Sequence, residues 1–138
     1  MTIKDCLNRA ATESPEGIAL RYKENGSWQT TSFSELRRRA WYVSEMLVRL
    51  DIKSGDRVAI LMENSPEWFE IYHGIVSIGA IAIPVDAKLR EQEVAHIFHD
   101  CGVSAVFCSV RLMVLIAEIG SLLHELRSMI VLEYSGDI

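Results

Sequence analysis

Apolar residues along the chain recur at helical and strand-like spacings in turn, and this alternation predicts most of its elements. Ile3, Leu7, Ala10 and Ala11 lie on one helical face until Ser14-Pro15 stops the pattern, which predicts a short amphipathic helix over 3–11. Residues 18–23 and 27–31 are strand-like runs separated by Asn25-Gly26. Both turn residues tolerate the positive φ of a type I′ turn, so a β-hairpin is expected. Ser32 stands where a helix N-cap belongs, and Glu35, three positions on, is expected to complete a capping box. Leu36, Ala40, Val43, Leu47 and Leu50 follow at alternating steps of four and three, lining a helix expected to pack on a sheet.

From Asp51 the pattern becomes strand followed by helix, repeated. A strand is predicted over 57–62, then a helix capped by Ser65 with Pro66 at its first position and ended by Gly79. Trp68, Phe69, Tyr72, Ile75, Val76 and Ile78 occupy several faces of that helix, so it should be largely buried. The short apolar run 81–85 suits a parallel strand covered on both faces. A helix over 91–101 turns Val94, Ile97, Phe98 and Cys101 inward and ends at Gly102. A strand over 105–109, a helix over 112–126 and a strand over 129–133 complete the series, with 134–138 read as the start of a loop. Four strands joined by three helical crossovers describe an α/β fold: a predominantly parallel sheet with helices on both faces, plus the N-terminal hairpin. The chain divides into the hairpin and first helices, 1–50, and the strand-helix repeats, 51–138.

Composition narrows the class. With 138 residues, 49% of them apolar, the chain has enough apolar material for one packed core without disulfides or a structural metal. Three cysteines, Cys6, Cys101 and Cys108, show no C-x-x-C spacing, and the first residues carry no apolar signal segment, which suits a reducing, cytoplasmic setting. The longest uncharged run, 71–85, is shorter than the ~20 residues of a spanning helix, and Gly79 and Pro84 interrupt it. A net charge of −5 argues against a nucleic-acid partner, and the one basic run, Arg37-Arg38-Arg39, fans around a helix instead of forming a stripe.

Most familiar chemical motifs are missing. The sequence contains no G-x-x-x-x-G-K-[ST], no G-x-G-x-x-G after a strand, no H-E-x-x-H and no G-x-S-x-G. His96, His99 and Cys101 lie close together, but Cys101 shares the apolar helix face, so two surface histidines and a buried thiol are expected instead of a metal site. His73 and His124 are read as hydrogen-bonded structural histidines on helices, and Trp28, Trp41 and Trp68 as core or half-buried packing. No catalytic residue is assigned.

A larger pattern emerges from Phe33-Ser34-Glu35-Leu36, Gly55-Asp56-Arg57-Val58-Ala59-Ile60, Asn64-Ser65-Pro66-Glu67-Trp68 and the run from Ser77-Ile78-Gly79-Ala80 to Pro84-Val85-Asp86. In this order and spacing the segments resemble the N-terminal part of the AMP-binding, adenylate-forming superfamily, and within it the acyl-CoA synthetases. Two departures stand out. Asp51 occupies a helix end where the family commonly has Gly, and Asp86-Ala87-Lys88-Leu89-Arg90 replaces a common proline and Thr or Ser cap. The resemblance implies a parent enzyme that attacks the ATP α-phosphate with a carboxylate, a fatty acid by preference, and passes the acyl group from AMP to CoA. It also implies that the phosphate loop, the acidic residues for nucleotide and Mg²⁺, and the mobile C-terminal domain with its lysine lie downstream, as the chain's own missing partner.

In open parallel sheets, ligands gather beyond the carboxyl ends of the strands. Those ends fall at Glu63-Asn64-Ser65, Pro84 to Lys88, and Ser109-Val110-Arg111. Asn64, Ser65 and Asp86 are the candidate substrate-binding residues there. Lys88 and Arg111, the two cations, are candidates for the edge at which such an enzyme meets the phosphates of CoA. The rival readings are a stand-alone flavodoxin-like binding module and a truncated, non-catalytic interaction homologue.

Overall fold

The computed structural model describes residues 1–133, so the loop expected over 134–138 lies outside the described residues. Helix α1 (Ile3–Glu13) starts with a capping box the periodicity did not reveal: Thr2 accepts from the Asp5 N–H, and Asp5 accepts from the Thr2 N–H. Strands β1 (Ile18–Glu24) and β2 (Ser27–Ser32) form the expected antiparallel hairpin, with φ of 49° at Asn25 and 77° at Gly26. The hairpin stands apart from the main sheet, so Trp28 is 63% exposed, not packed, and lies beneath the Lys23 ammonium. Trp41, also expected to pack, is 59% exposed on helix α2 (Phe33–Arg49).

Ser32 caps α2 as expected, accepting from the Glu35 N–H, but the capping box is not completed. The Glu35 carboxylate turns to Arg38 and Arg39 instead, because three charge-assisted bonds outweigh one to a backbone N–H. Along α2, Leu47 reaches the core over the sheet, whereas Leu36 and Ala40 pack with Leu7 of α1, and Leu50 is 38% exposed. Helix α2 packs toward the sheet as expected through Val43, Met46 and Leu47, but it lies mainly along α3 (Pro66–Ser77). Ser44 of α2 donates to the Gly74 carbonyl at 2.8 Å, locking the two helices together.

Strands β3 (Arg57–Leu61), β4 (Ile81–Pro84), β5 (Ala105–Ser109) and β6 (Ser128–Leu132) form one parallel sheet in the order β4-β3-β5-β6. Side chains alternate across it. Val58, Ile60, Ala105 and Phe107 join Ile71 and Ile75 of α3 on one face. Ala59, Leu61, Val106 and Cys108 meet α4 (Glu91–Cys101) and α5 (Val110–Ile119) on the other. Helices therefore cover both faces, as expected. Arg57 reaches past the sheet to bond the Cys101 and Gly102 carbonyls at the end of α4, where a cation complements the helix dipole.

Two expectations fail at the margins. Strand β4, expected to be covered on both faces, is covered in part: Ala82 and Ile83 pack against the cores on its two faces, but it lies at the sheet edge among the described residues and Ile81 is 48% exposed. The helix expected over 112–126 spans Val110–Ile119 and tightens into a 3₁₀ turn at Gly120–Leu122, because Gly120-Ser121 are weak helix formers. His124 consequently lies exposed in a turn, off the helix. Asp51, expected at a glycine-like helix end, does adopt the left-handed conformation, with φ of 60°. Among the described residues no helix is long and apolar enough to cross a membrane.

Candidate functional site

Three strand ends meet on one side of the sheet. Strand β3 sends its crossover to β4 and β5 sends its own to β6, so the chain leaves two adjacent strands in opposite directions. That divergence opens a crevice between their carboxyl ends, the place where open α/β sheets hold ligands. A cleft of about 560 Å³ lies there, bordered by Glu63, Asn64, Trp68, Asp86, Lys88 and Arg111.

Each border has a local cause. Beyond β3, the Ser65 hydroxyl accepts from the Trp68 N–H and Pro66 opens α3, so Asn64 is left exposed on the turn. Beyond β4, an Asp86 carboxylate oxygen accepts from the Lys88 N–H at 2.9 Å, and the Asp86 carbonyl accepts from the Leu89 N–H. This is the turn that replaces the proline and cap usual in such loops, and it carries Lys88 to the rim. Beyond β5, Arg111 is the second residue of α5. Its Nε donates to Glu63 Oε1 at 2.6 Å, and Nη2 lies 2.6 Å from the same oxygen.

The structure thus brings together Asn64, Asp86, Lys88 and Arg111. Ser65 is buried, spends its hydroxyl on the cap, and borders a separate cleft of about 400 Å³ between α3 and the hairpin. Sequence reasoning missed two members of the main cleft. Glu63 was only a neighbour of Asn64 in the chain; here it is the anchor for Arg111. Trp68, read as packing, is half-buried and stacked on Tyr72 at an interplanar angle of 8°, and it also forms part of the cleft wall.

Electrostatics follow the geometry. Burial opposes ionisation of Glu63, yet its own backbone N–H and Arg111 hold the carboxyl below its ordinary range. The Ser109 hydroxyl, buried beside it, favours the ionised carboxyl as well. On α3, burial alone lowers the pKa of His73, and its Nδ1 is buried without a partner among the described residues, so the hydrogen bond expected there is not seen at that atom. His96 and His99 sit exposed beside Asp100, and Cys101 is half-buried. Among the described residues no three His, Cys, Asp or Glu side chains gather where a metal ion would sit.

The sequence model of the family described as AMP-binding enzyme matches residues 7–137. The chain belongs to that family. It is 34% identical over 100 residues to the long-chain-fatty-acid–CoA ligase FadD13 of Mycobacterium tuberculosis, covering 72% of this chain and 20% of that one. It is 32% identical over 107 residues to crotonobetaine/carnitine–CoA ligase of Salmonella enteritidis, covering 78% and 19%. The structure of a fatty acyl CoA synthetase from Mycobacterium tuberculosis superposes with a TM-score of 0.84 at 28% identity, over 94% of this chain and 26% of that one. The chain therefore spans about a fifth of the length of these curated relatives. The α/β sheet described above is a part of the N-terminal region of AMP-binding enzymes.

Proposed function

We propose that the chain is the N-terminal portion of the large domain of an AMP-forming acid–thiol ligase. In the first half-reaction a carboxylate oxygen attacks the α-phosphorus of ATP, giving an acyl-adenylate and releasing pyrophosphate. In the second the CoA thiol, losing its proton, attacks the acyl carbon, and AMP leaves as the thioester forms. The observation that carries this reading is the family match across nearly the whole chain. A fatty acid is the substrate we favour, supported by the Asn64 to Trp68 segment and by the name of the mycobacterial relative.

Within this reading the cleft beyond β3, β4 and β5 is a binding edge. Lys88 and Arg111 meet the CoA phosphates, Asn64 and Asp86 offer polar groups to the substrate, and Ser65 supports that loop from the capped helix end. No phosphate loop occurs in the sequence, so residues 1–138 by themselves neither activate a carboxylate nor hold ATP tightly. ATP and Mg²⁺ are handled by other parts of the parent enzyme.

Carboxylate-dependent ATP–pyrophosphate exchange, followed by thioester analysis, tests both halves. A full-length parent is expected to exchange and to form thioesters best with fatty acids, and the 138-residue chain alone to do neither. Exchange by the chain alone would place the nucleotide chemistry within it. A parent that exchanges only with amino acids and forms no CoA thioester would remove the ligase reading.

A further inference from the structure

Among the groups at the cleft, the ion pair between Glu63 and Arg111 has the most specific geometry. Its members come from opposite sides of the switch crevice, 48 residues apart in the chain. One carboxylate oxygen takes both Nε and Nη2 of the guanidinium. The two side chains differ in exposure: Glu63 retains 23%, Arg111 58%, so the carboxylate is rooted in the floor and the guanidinium reaches the mouth.

Such a tether has two consequences. A free arginine side chain loses rotamer entropy when a ligand immobilises it, and prior anchoring removes much of that loss. The bond also uses only one flank of the guanidinium, which leaves the Nη1 hydrogens without a partner among the described residues and open to phosphate oxygens in the planar geometry arginine favours. Glu63 subtracts charge from the site at the same time, so what it contributes is placement and not attraction.

We propose that Glu63 is a positioning residue that presents Arg111 to a phosphate group of the thiol substrate. The proposal rests on the reading of Arg111 as a CoA contact. Glu63 itself touches no substrate. Its amide counterpart keeps an oxygen for the arginine, whereas alanine removes the tether.

The test is a double-mutant cycle in the full-length ligase, with the apparent KM for CoA read against kcat and against ATP–pyrophosphate exchange. Arg111→Ala should raise the CoA KM about tenfold, and Glu63→Ala about threefold, within the range for coupled charged neighbours. The double variant should be no worse than Arg111→Ala alone, and Glu63→Gln should stay within about twofold of the parent because it still accepts from Arg111. If Glu63→Ala does not fold, Glu63→Asp, with its carboxylate drawn back by one methylene, takes its place with the same expected rise. Effects that multiply in the double variant, or a Glu63 variant with the parent's CoA KM while Arg111→Ala raises it, would overturn the positioning role and leave the CoA reading standing. An unchanged CoA KM in Arg111→Ala would overturn both.

Discussion

Cys108 lies at the centre of the sheet with none of its surface exposed, and burial pushes its thiol up from an ordinary 9.0 to about 11. Because the folded value exceeds the unfolded one, the folded chain binds the proton more tightly. The corresponding stability is complete below pH 9, declines as pH rises through about 11, and is absent above it. Urea midpoints measured between pH 8 and pH 11 should therefore fall less steeply in Cys108→Ala than in the parent. In the same chain Cys6 is exposed, so an aromatic disulfide reagent near pH 8 should label Cys6 at once and Cys108 only after denaturation. Prompt labelling of Cys108 would mean that β5 opens on the timescale of the assay. At this scale the candidate site was partly legible. Asn64, Asp86, Lys88 and Arg111 follow from the rule that ligands gather at strand ends. The Glu63–Arg111 pair does not, because it requires β3 and β5 to be neighbours, and β4 inserts between them in sequence while lying outside them in space.

At the scale of elements, two glycines on helical backbone have opposite expected effects because their surroundings differ. A Cβ on Gly74 would stand 2.6 Å from Val43 of α2 and 2.9 Å from the Ala40 carbonyl, so the close approach of α2 and α3 depends on its absence. Gly74→Ala should lose about 1–3 kcal/mol by overpacking, more than the ~1 kcal/mol of helix propensity it gains. Adding Val43→Ala should recover only a small part of the loss, because it removes the Cγ1 contact but keeps the Val43 Cβ at 2.6 Å and the Ala40 carbonyl at 2.9 Å. Gly120, by contrast, has φ of −57° and ψ of −34°, and a Cβ there meets nothing within 4 Å. Gly120→Ala should gain about 0.5–1 kcal/mol and lengthen α5 toward Leu122. Denaturant midpoints and helical circular dichroism check both. The same region shows why helix ends were harder to read than helices. Apolar spacing continues from Leu112 through Leu123 and Leu126, so periodicity predicts one long helix; backbone preference at Gly120-Ser121 decides otherwise. The hairpin was legible because its turn chemistry is local, with both positive φ angles supplied by Asn25 and Gly26. The exposure of Trp28 and Trp41 was not, since it depends on what covers the hairpin and α2.

Over the whole molecule, the repeated strand-helix pattern determines how many strands are parallel, but their lateral order decides which surfaces stay open. With β4 and β6 outermost among the described residues, the sheet has two edges there whose backbone N–H and carbonyl groups are not all paired within it. At the β6 edge Met129 and Val131 are 40% and 37% exposed, and on α5 Val110 and Val114, one helical turn apart, are 44% and 58% exposed. Apolar side chains beside an open strand edge form a template for another strand, and a net charge of −5 over 138 residues is a modest barrier to association. The 138-residue chain alone should therefore self-associate, with its weight-average mass rising with concentration in sedimentation equilibrium. Val131→Lys should suppress that rise, because an edge lysine places a strongly hydrated charge where a neighbouring strand would dock, and at 37% exposure the site has room for it. The substitution leaves Ile130 and Leu132 on the packed side of β6, so the thermal midpoint should hold while association falls. A chain that stays monomeric across the whole concentration range would show that twist and the flanking loops already protect these edges. Equal association of the parent and Val131→Lys would move the contact away from β6, to β4 or to the exposed face of α2.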